Sequence, residues 1–156
     1  MSKLTILFRQ ANLDDLPTIV QFLADDPLGS EREKFETPLP DSYIDAFNAI
    51  TTDSNNELIV AAHENEIIGT LQLTFIPGLS YQGSWRMLIE GVRVSREYRS
   101  QGIGKRILQW AIDYAKEKNC QMVQLTSTKE RMRAIKFYEF LGFKASHTGM
   151  KLLLSD

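Results

Sequence analysis

The chain has 156 residues, an apolar fraction of 43% and a formal net charge of −2. That length fits one domain spanning residues 1–156, and the composition suffices for a buried core, which argues against a disordered chain. No apolar run approaches the roughly 18 residues that cross a bilayer, and a pI near 5.7 argues against a strongly basic nucleic-acid surface.

The N-terminal segment is apolar for too few residues to be a signal peptide, so the expected location is cytoplasmic. Residues 4–9 read instead as a first strand. Asn12 suits a helix N-cap, with Asp15 three residues on, and Leu13, Leu16, Ile19, Val20 and Leu23 then recur at helical spacing. A loop is expected around Pro27 and Gly29, and a second helix over 41–50. Residues 57–63 and 67–76 form a predicted hairpin turning at Asn65, with Leu71, Leu73 and Phe75 on its buried face. Residues 77–86 read as a loop, and 87–94 as a strand. A strong amphipathic helix follows over 102–118, ending near Asn119, then a strand over 122–126. A helix over 130–141 stops at Gly142, and short strands at 143–147 and 149–154 close the chain. Hairpins first and βαβ units second predict an α/β fold. Its sheet should be mixed, mostly antiparallel and twisted, with about seven strands and helices on both faces.

The charges divide along the chain. Between Asp14 and Asp45 there are nine acidic and two basic residues; between Arg86 and Lys144 there are thirteen basic and six acidic. A basic half suits a polyanionic ligand and an acidic half a cationic one. The single cysteine, Cys120, excludes an internal disulfide and reads as a bystander thiol. No Cys/His cluster has metal-ligand spacing, so no metal is expected.

The segment joining the 87–94 strand to the following helix carries Arg99, Ser100, Gln101, Gly102, Ile103, Gly104 and Lys105. Small residues let a ligand approach exposed N–H groups, and the helix start adds unpaired donors and a positive dipole end. That combination suits phosphate. A Walker loop would need Gly-x-x-x-x-Gly-Lys-Ser/Thr, which is absent. A dinucleotide site would want a third glycine where Ile107 stands. Two other residues invite questions. Glu90 sits in an otherwise apolar strand, where a carboxylate is costly unless paired or solvated; strand alternation also allows it simply to face outward. Tyr138, unaided, is a core aromatic of the last helix.

Residues 99–104 resemble the Arg/Gln-x-x-Gly-x-Gly/Ala signature of the GNAT N-acetyltransferase superfamily. Residues 89–94 resemble the strand before it. Residues 133–143 resemble the second signature, a helix carrying a tyrosine and ending in Leu-Gly-Phe. The short chain is also similar to the family's small bacterial members, which acetylate small amines, aminoalkylphosphonates included. The resemblance implies acetyl-CoA as co-substrate and a small-molecule amine as acceptor. The pyrophosphate would sit on Gln101 to Lys105, with Arg99 and Ser100 beside it. The pantetheine arm would pair along Val92, Arg93 and Val94. Arg131 stands where the family often has Asn, near that arm. Glu90 would accept the amine proton and Tyr138 would protonate the leaving thiolate. The acidic half would then face a cationic acceptor. Tyr81 and Trp85 suit either an acceptor pocket or the contact of a homodimer. The rival readings are a non-catalytic acyl-CoA sensor or partner-binding module on the same fold, and acetylation of a protein or peptide amine. No membrane or nucleic-acid partner is expected.

Overall fold

Residues 3–128 and 131–155 are described in the computed structural model. Five strands form one sheet in the order β1 (Leu7–Gln10), β2 (Asn56–His63), β3 (Glu66–Pro77), β4 (Trp85–Val94) and β5 (Met122–Gln124). The first four are antiparallel neighbours, and β5 lies parallel to β4. Helices α1 (Leu16–Ala24) and α3 (Asp41–Thr52) pack on one face around Val60. Helix α5 (Ile103–Glu117) packs on the other, placing Ile103, Ile107, Leu108, Ala111 and Ala115 against Ile68, Leu71, Leu73, Met87 and Ile89. Other short segments are α2 (Pro27–Arg32), α4 (Ser80–Gly83), a single turn in which Tyr81 and Gln82 take left-handed φ of 55° and 60°, and α6 (Met132–Phe140). No helix among the described residues is long and apolar enough to cross a membrane.

The hairpin forms as its pattern predicts. Leu71, Leu73 and Phe75 are buried, and Glu64 and Asn65 take positive φ of 48° and 68° at the turn, the twist a two-residue hairpin loop needs. Trp110 and Tyr114 are packing residues: Phe8 stacks on Trp110 at 4.7 Å, and Trp110 on Tyr114 at 4.9 Å. The Tyr114 hydroxyl donates to Glu57 at 2.8 Å. Burial pushes the Cys120 thiol up, which suits a bystander rather than a nucleophile.

Three expectations need correction. The sheet has five strands among the described residues, not about seven, because 143–147 and 149–154 form none. Leu152, Leu153 and Leu154 are consecutive, so no pleat can bury all three, and each is at least 84% exposed. β5 ends at Gln124 after three residues and offers little edge to template a strand. The expected loop around Pro27 is instead α2: Asp26 caps it by accepting the Gly29 N–H, and Pro27 takes the first position, where its missing donor is harmless. Trp85 opens β4 rather than lying in the preceding loop. Residue 130, where the last helix was expected to begin, lies outside the described residues.

The entry to α1 depends on one carboxylate. Asp15 is 7% exposed and accepts from Arg9 at 2.7 and 3.1 Å and from the Asn12 N–H at 2.8 Å. Burial pushes its carboxyl up, but these bonds outweigh burial and hold it below the ordinary carboxylate range. Asp15→Ala should therefore cost about 1–3 kcal/mol at neutral pH, read from urea midpoints. A carboxyl depressed in the folded state adds stability above its unfolded value of about 4 and loses it as pH falls through the folded value. The gap between variant and parent should close at acid pH. A gap that persists there would assign the loss to packing alone.

Candidate functional site

The site is organised by an irregularity in β4. Thr70 pairs with Arg93, but Gln72 pairs with Glu90, so Gly91 and Val92 together face the single residue Leu71. Gly91 carries φ of +64°, a bulge conformation that glycine adopts without strain. The extra residue resets the alternation. Before it, Met87 and Ile89 face α5; after it, Val92 and Val94 do. Glu90 and Arg93 are left together on the opposite face, toward α1 and α2. Strand alternation puts Trp85 on the Met87 and Ile89 side, and Tyr81 lies exposed in a turn, so neither joins Glu90. Glu90 is exposed, and its side chain makes no hydrogen bond among the described residues.

β5 pairs only with Arg86 to Leu88, so the two strands part beyond that point and the rest of β4 has a free edge. The Ser95 N–H donates to the Ile68 carbonyl at 2.8 Å. Alternation from there turns the main-chain groups of Arg93 toward β3 and those of Val92 and Val94 toward the cleft. Side chains confirm the direction: Arg93 donates to the Val92 carbonyl at 2.9 Å and Arg99 to the Val94 carbonyl at 3.2 Å.

At the end of this edge lies the glycine loop. Ser100 and Gly102 take positive φ of 64° and 79°. Arg106 is the first N–H of α5 to reach a carbonyl, that of Gly102 at 3.2 Å, so the N–H groups of Ile103, Gly104 and Lys105 precede any intrahelical partner. A cleft of about 310 Å³ runs beside them, lined by Val94, Tyr98, Arg99, Ser100, Lys105 and Phe137 among others. An added Cβ at Gly102 or Gly104 would meet nothing closer than Val94, at 3.8 Å from Gly104. The space above the loop is open, which is what a ligand pressed on the backbone requires.

Tyr138 enters from α6. Gly142 has φ of +105°, the Phe143 N–H donates to the Tyr138 carbonyl at 3.1 Å, and the Gly142 N–H donates to Glu139 at 3.0 Å. This is the Schellman cap expected at Gly142. The rings of Tyr138 and Phe143 meet edge to face, 6.1 Å apart. Burial pushes the Tyr138 phenol up, against the fields of Arg131 and Arg93, which pull it down.

Two acidic residues that the sequence reading did not single out tie these parts together. Asp25 holds Arg96 and Arg99, the latter at 3.4 Å. Asp26 contacts Arg93 at 3.4 Å and Arg131 at 3.5 Å. The acidic half therefore neutralises the loop arginines instead of facing outward as a whole. The Asp-Asp-Pro sequence signals a helix cap, but nothing local points to partners roughly seventy and a hundred residues away.

The Acetyltransferase (GNAT) family model matches residues 21–143. A crystal structure described as a transcriptional regulator from Bacillus halodurans C-125 is 53% identical, with a TM-score of 0.92 over 96% of this chain and 100% of its own. The aminoalkylphosphonate N-acetyltransferase of Salmonella typhimurium is 28% identical over 106 residues, 68% of each chain. The glucosamine 6-phosphate N-acetyltransferase of Trypanosoma brucei brucei is 33% identical over 86 residues, 55% of this chain and 56% of its own.

The open space at Gly104 gives a test in which stability and binding move in opposite directions. Gly104→Ala replaces glycine near the start of α5, where alanine is the better helix former by roughly 0.5–1 kcal/mol. We expect Tm to rise slightly while the dissociation constant for acetyl-CoA, measured by calorimetry, rises about tenfold or more. Unchanged affinity in this more stable variant would remove the loop from the binding site.

Proposed function

The chain belongs to the GNAT acetyltransferase family, and we propose that it moves an acetyl group from acetyl-CoA to a primary amine of a small molecule by direct attack, as one catalytic domain over residues 1–156. The observation that carries this reading is the free edge of β4 running straight into the unpaired N–H groups at the start of α5. An extended amide-containing arm suits the first, and a pyrophosphate suits the second. Val92 and Val94 would pair with the arm. Gln101, Gly102, Ile103, Gly104 and Lys105 would hold the phosphates, with Arg99 and Ser100 at the rim. Acetyl-CoA supplies the acyl group, and the chain supplies the rest. Two relatives support a small amine as acceptor, since their names specify an aminoalkylphosphonate and glucosamine 6-phosphate.

In this proposal Glu90, exposed beside the bulge, takes the proton of the attacking amine directly or through water and returns it to solvent. The Val92 N–H, turned into the cleft, donates to the thioester oxygen as negative charge develops there. The new C–N bond forms as the C–S bond breaks. The Tyr138 hydroxyl delivers its proton to the leaving sulfur and regains one from solvent. Its raised pKa keeps it protonated throughout the neutral range, as an acid must be. The ring is braced by Phe143 from the cap, so structure and chemistry occupy different atoms of one side chain.

Release of free thiol from acetyl-CoA in the presence of an amine panel tests the activity, and Tyr138→Phe tests the acid. We expect Tyr138→Phe to keep near-normal stability and CoA affinity while kcat falls roughly 10- to 1000-fold. The loss should shrink for an acyl donor with a more acidic leaving thiol. Unchanged kcat, with chemistry rate-limiting in the parent, would leave Tyr138 as a packing residue.

A further inference from the structure

We propose that Arg93 and Arg131 form an anion subsite that binds a phosphate or phosphonate group carried by the acceptor amine. This inference rests on the acetyl-transfer reading above and names its substrate class.

Both guanidiniums approach one carboxylate, that of Asp26, and neither is well satisfied by it. The contacts are 3.4 and 3.5 Å, whereas Arg9 and Asp15 of the same chain meet at 2.7 Å. A charge-assisted bond at its optimum is about 2.7–2.9 Å long. One Asp26 oxygen, Oδ1, accepts the Gly29 N–H as the cap of α2, so both arginines share the other, Oδ2. Arg93 has a side chain only 17% exposed, yet its Nε is buried and makes no hydrogen bond among the described residues. An unsatisfied buried guanidinium N–H is costly, and an oxyanion is the group that relieves it.

The charge balance points the same way. Asp26 feels the fields of Arg93, Arg131 and Arg32, and Glu33 offsets Arg32 at 2.7 Å, which leaves two guanidiniums against one carboxylate. A bound oxyanion would neutralise what Asp26 leaves over. Burial and the neighbouring Arg131 and Arg32 also hold the Arg93 guanidinium below its ordinary pKa, against the pull of Asp26, which fits a site short of negative charge.

Position assigns the pair to the acceptor. The bulge puts Arg93 on the same face of β4 as Glu90, with the donors of the glycine loop further along the chain. Glu90 and Arg93 are three Cα steps apart, about 10 Å at most along a strand. An amine held at Glu90 and an oxyanion held at Arg93 are then joined by a short alkyl spacer. Arg131 closes the pair from the start of α6, where it borders a hollow of about 480 Å³ with Met132, Arg133 and Ala134.

The test compares 2-aminoethylphosphonate with propylamine, which keeps the amine and lacks the anion. Binding is read by calorimetry on the full chain and turnover by thiol release from acetyl-CoA. We expect the ratio of kcat/KM for the phosphonate over propylamine to fall about 10- to 100-fold in Arg131→Gln and in Arg93→Gln. Arg131→Lys should recover part of it. Asp26→Asn keeps a capping side chain and removes the competing charge, so it should tighten binding of the phosphonate. The subsite is overturned if the variants lower both acceptors in parallel, or raise the KM for acetyl-CoA and leave phosphonate affinity intact; the latter assigns the pair to the cofactor. Arginine-dependent binding of the phosphonate with no thiol release from any amine would keep the subsite and overturn acetyl transfer instead. The thermal midpoint of each variant separates lost binding from lost folding.

Discussion

Opposite Leu71, β4 places two residues, Gly91 and Val92, where a regular strand would place one. The sequence around this point makes sense only with that extra residue. In a regular continuation from Met87 and Ile89, Arg93 would point into the α5 core, and Val92 and Val94 would point away from it. A guanidinium among Ile107, Leu108 and Val123 would lack a partner and cost several kcal/mol, while two valines would lose their burial. With the bulge, the valines return to the core and the arginine reaches Asp26. A glycine at Gly91 lets the backbone take that turn without strain. The same step leaves the Val92 and Val94 amides facing an unpaired edge, so one backbone irregularity sets both the core packing and the groups that face the cleft.

The second constraint is electrostatic and long in sequence. Asp25 and Asp26 follow α1 and gather arginines from the β4 strand, the loop after it and the start of α6. Arg99 is shared between the Asp25 carboxylate and the Val94 carbonyl, so the carboxylate also sets where the loop arginine lies along the β4 edge. Charge counted along the chain suggested two halves serving two ligands. In the fold those halves meet, and much of each cancels the other. What remains for a phosphate at the loop is then chiefly Lys105 and the backbone donors, which do not depend on side-chain charge.

This explains which features were legible in the sequence. The Gly142 cap, the hairpin turn at Asn65 and the α5 stripe follow from short-range rules, in which a residue's own φ preference or a 3.6-residue period decides the outcome. The glycine loop was legible for the same reason, and with it most of the residues proposed to hold the phosphates. The bulge was not, because Gly91 in an apolar strand has no local mark separating a kink from a packing gap. Helix α2 was missed because Pro and Gly outweighed the Asp26 cap that starts it. Of the expected closing strands, 149–154 has the apolar content of a strand, but its three leucines in a row violate alternation. Asp26 as a partner of Arg93 and Arg131 is a tertiary fact with no sequence signal beyond its charge.

Tyr138 shows how these two constraints act on the proposed chemistry. Burial raises its pKa, and the guanidiniums of Arg131 and Arg93 lower it; burial wins. The arginines therefore limit how poor an acid the buried phenol becomes. Neutralising them with a bound anion weakens that help, so Tyr138 is a weaker acid with an anionic acceptor in place than with a neutral one. A weaker acid transfers its proton later, when the C–S bond is further broken and the sulfur more basic. The subsite and the acid are coupled through the same two cations, whatever shape the acceptor has beyond its oxyanion. Asp26 moderates the coupling, since its charge already offsets part of the arginine field in the free protein. An anion that displaces Asp26 from the pair replaces one negative charge with another, and the phenol feels only the difference.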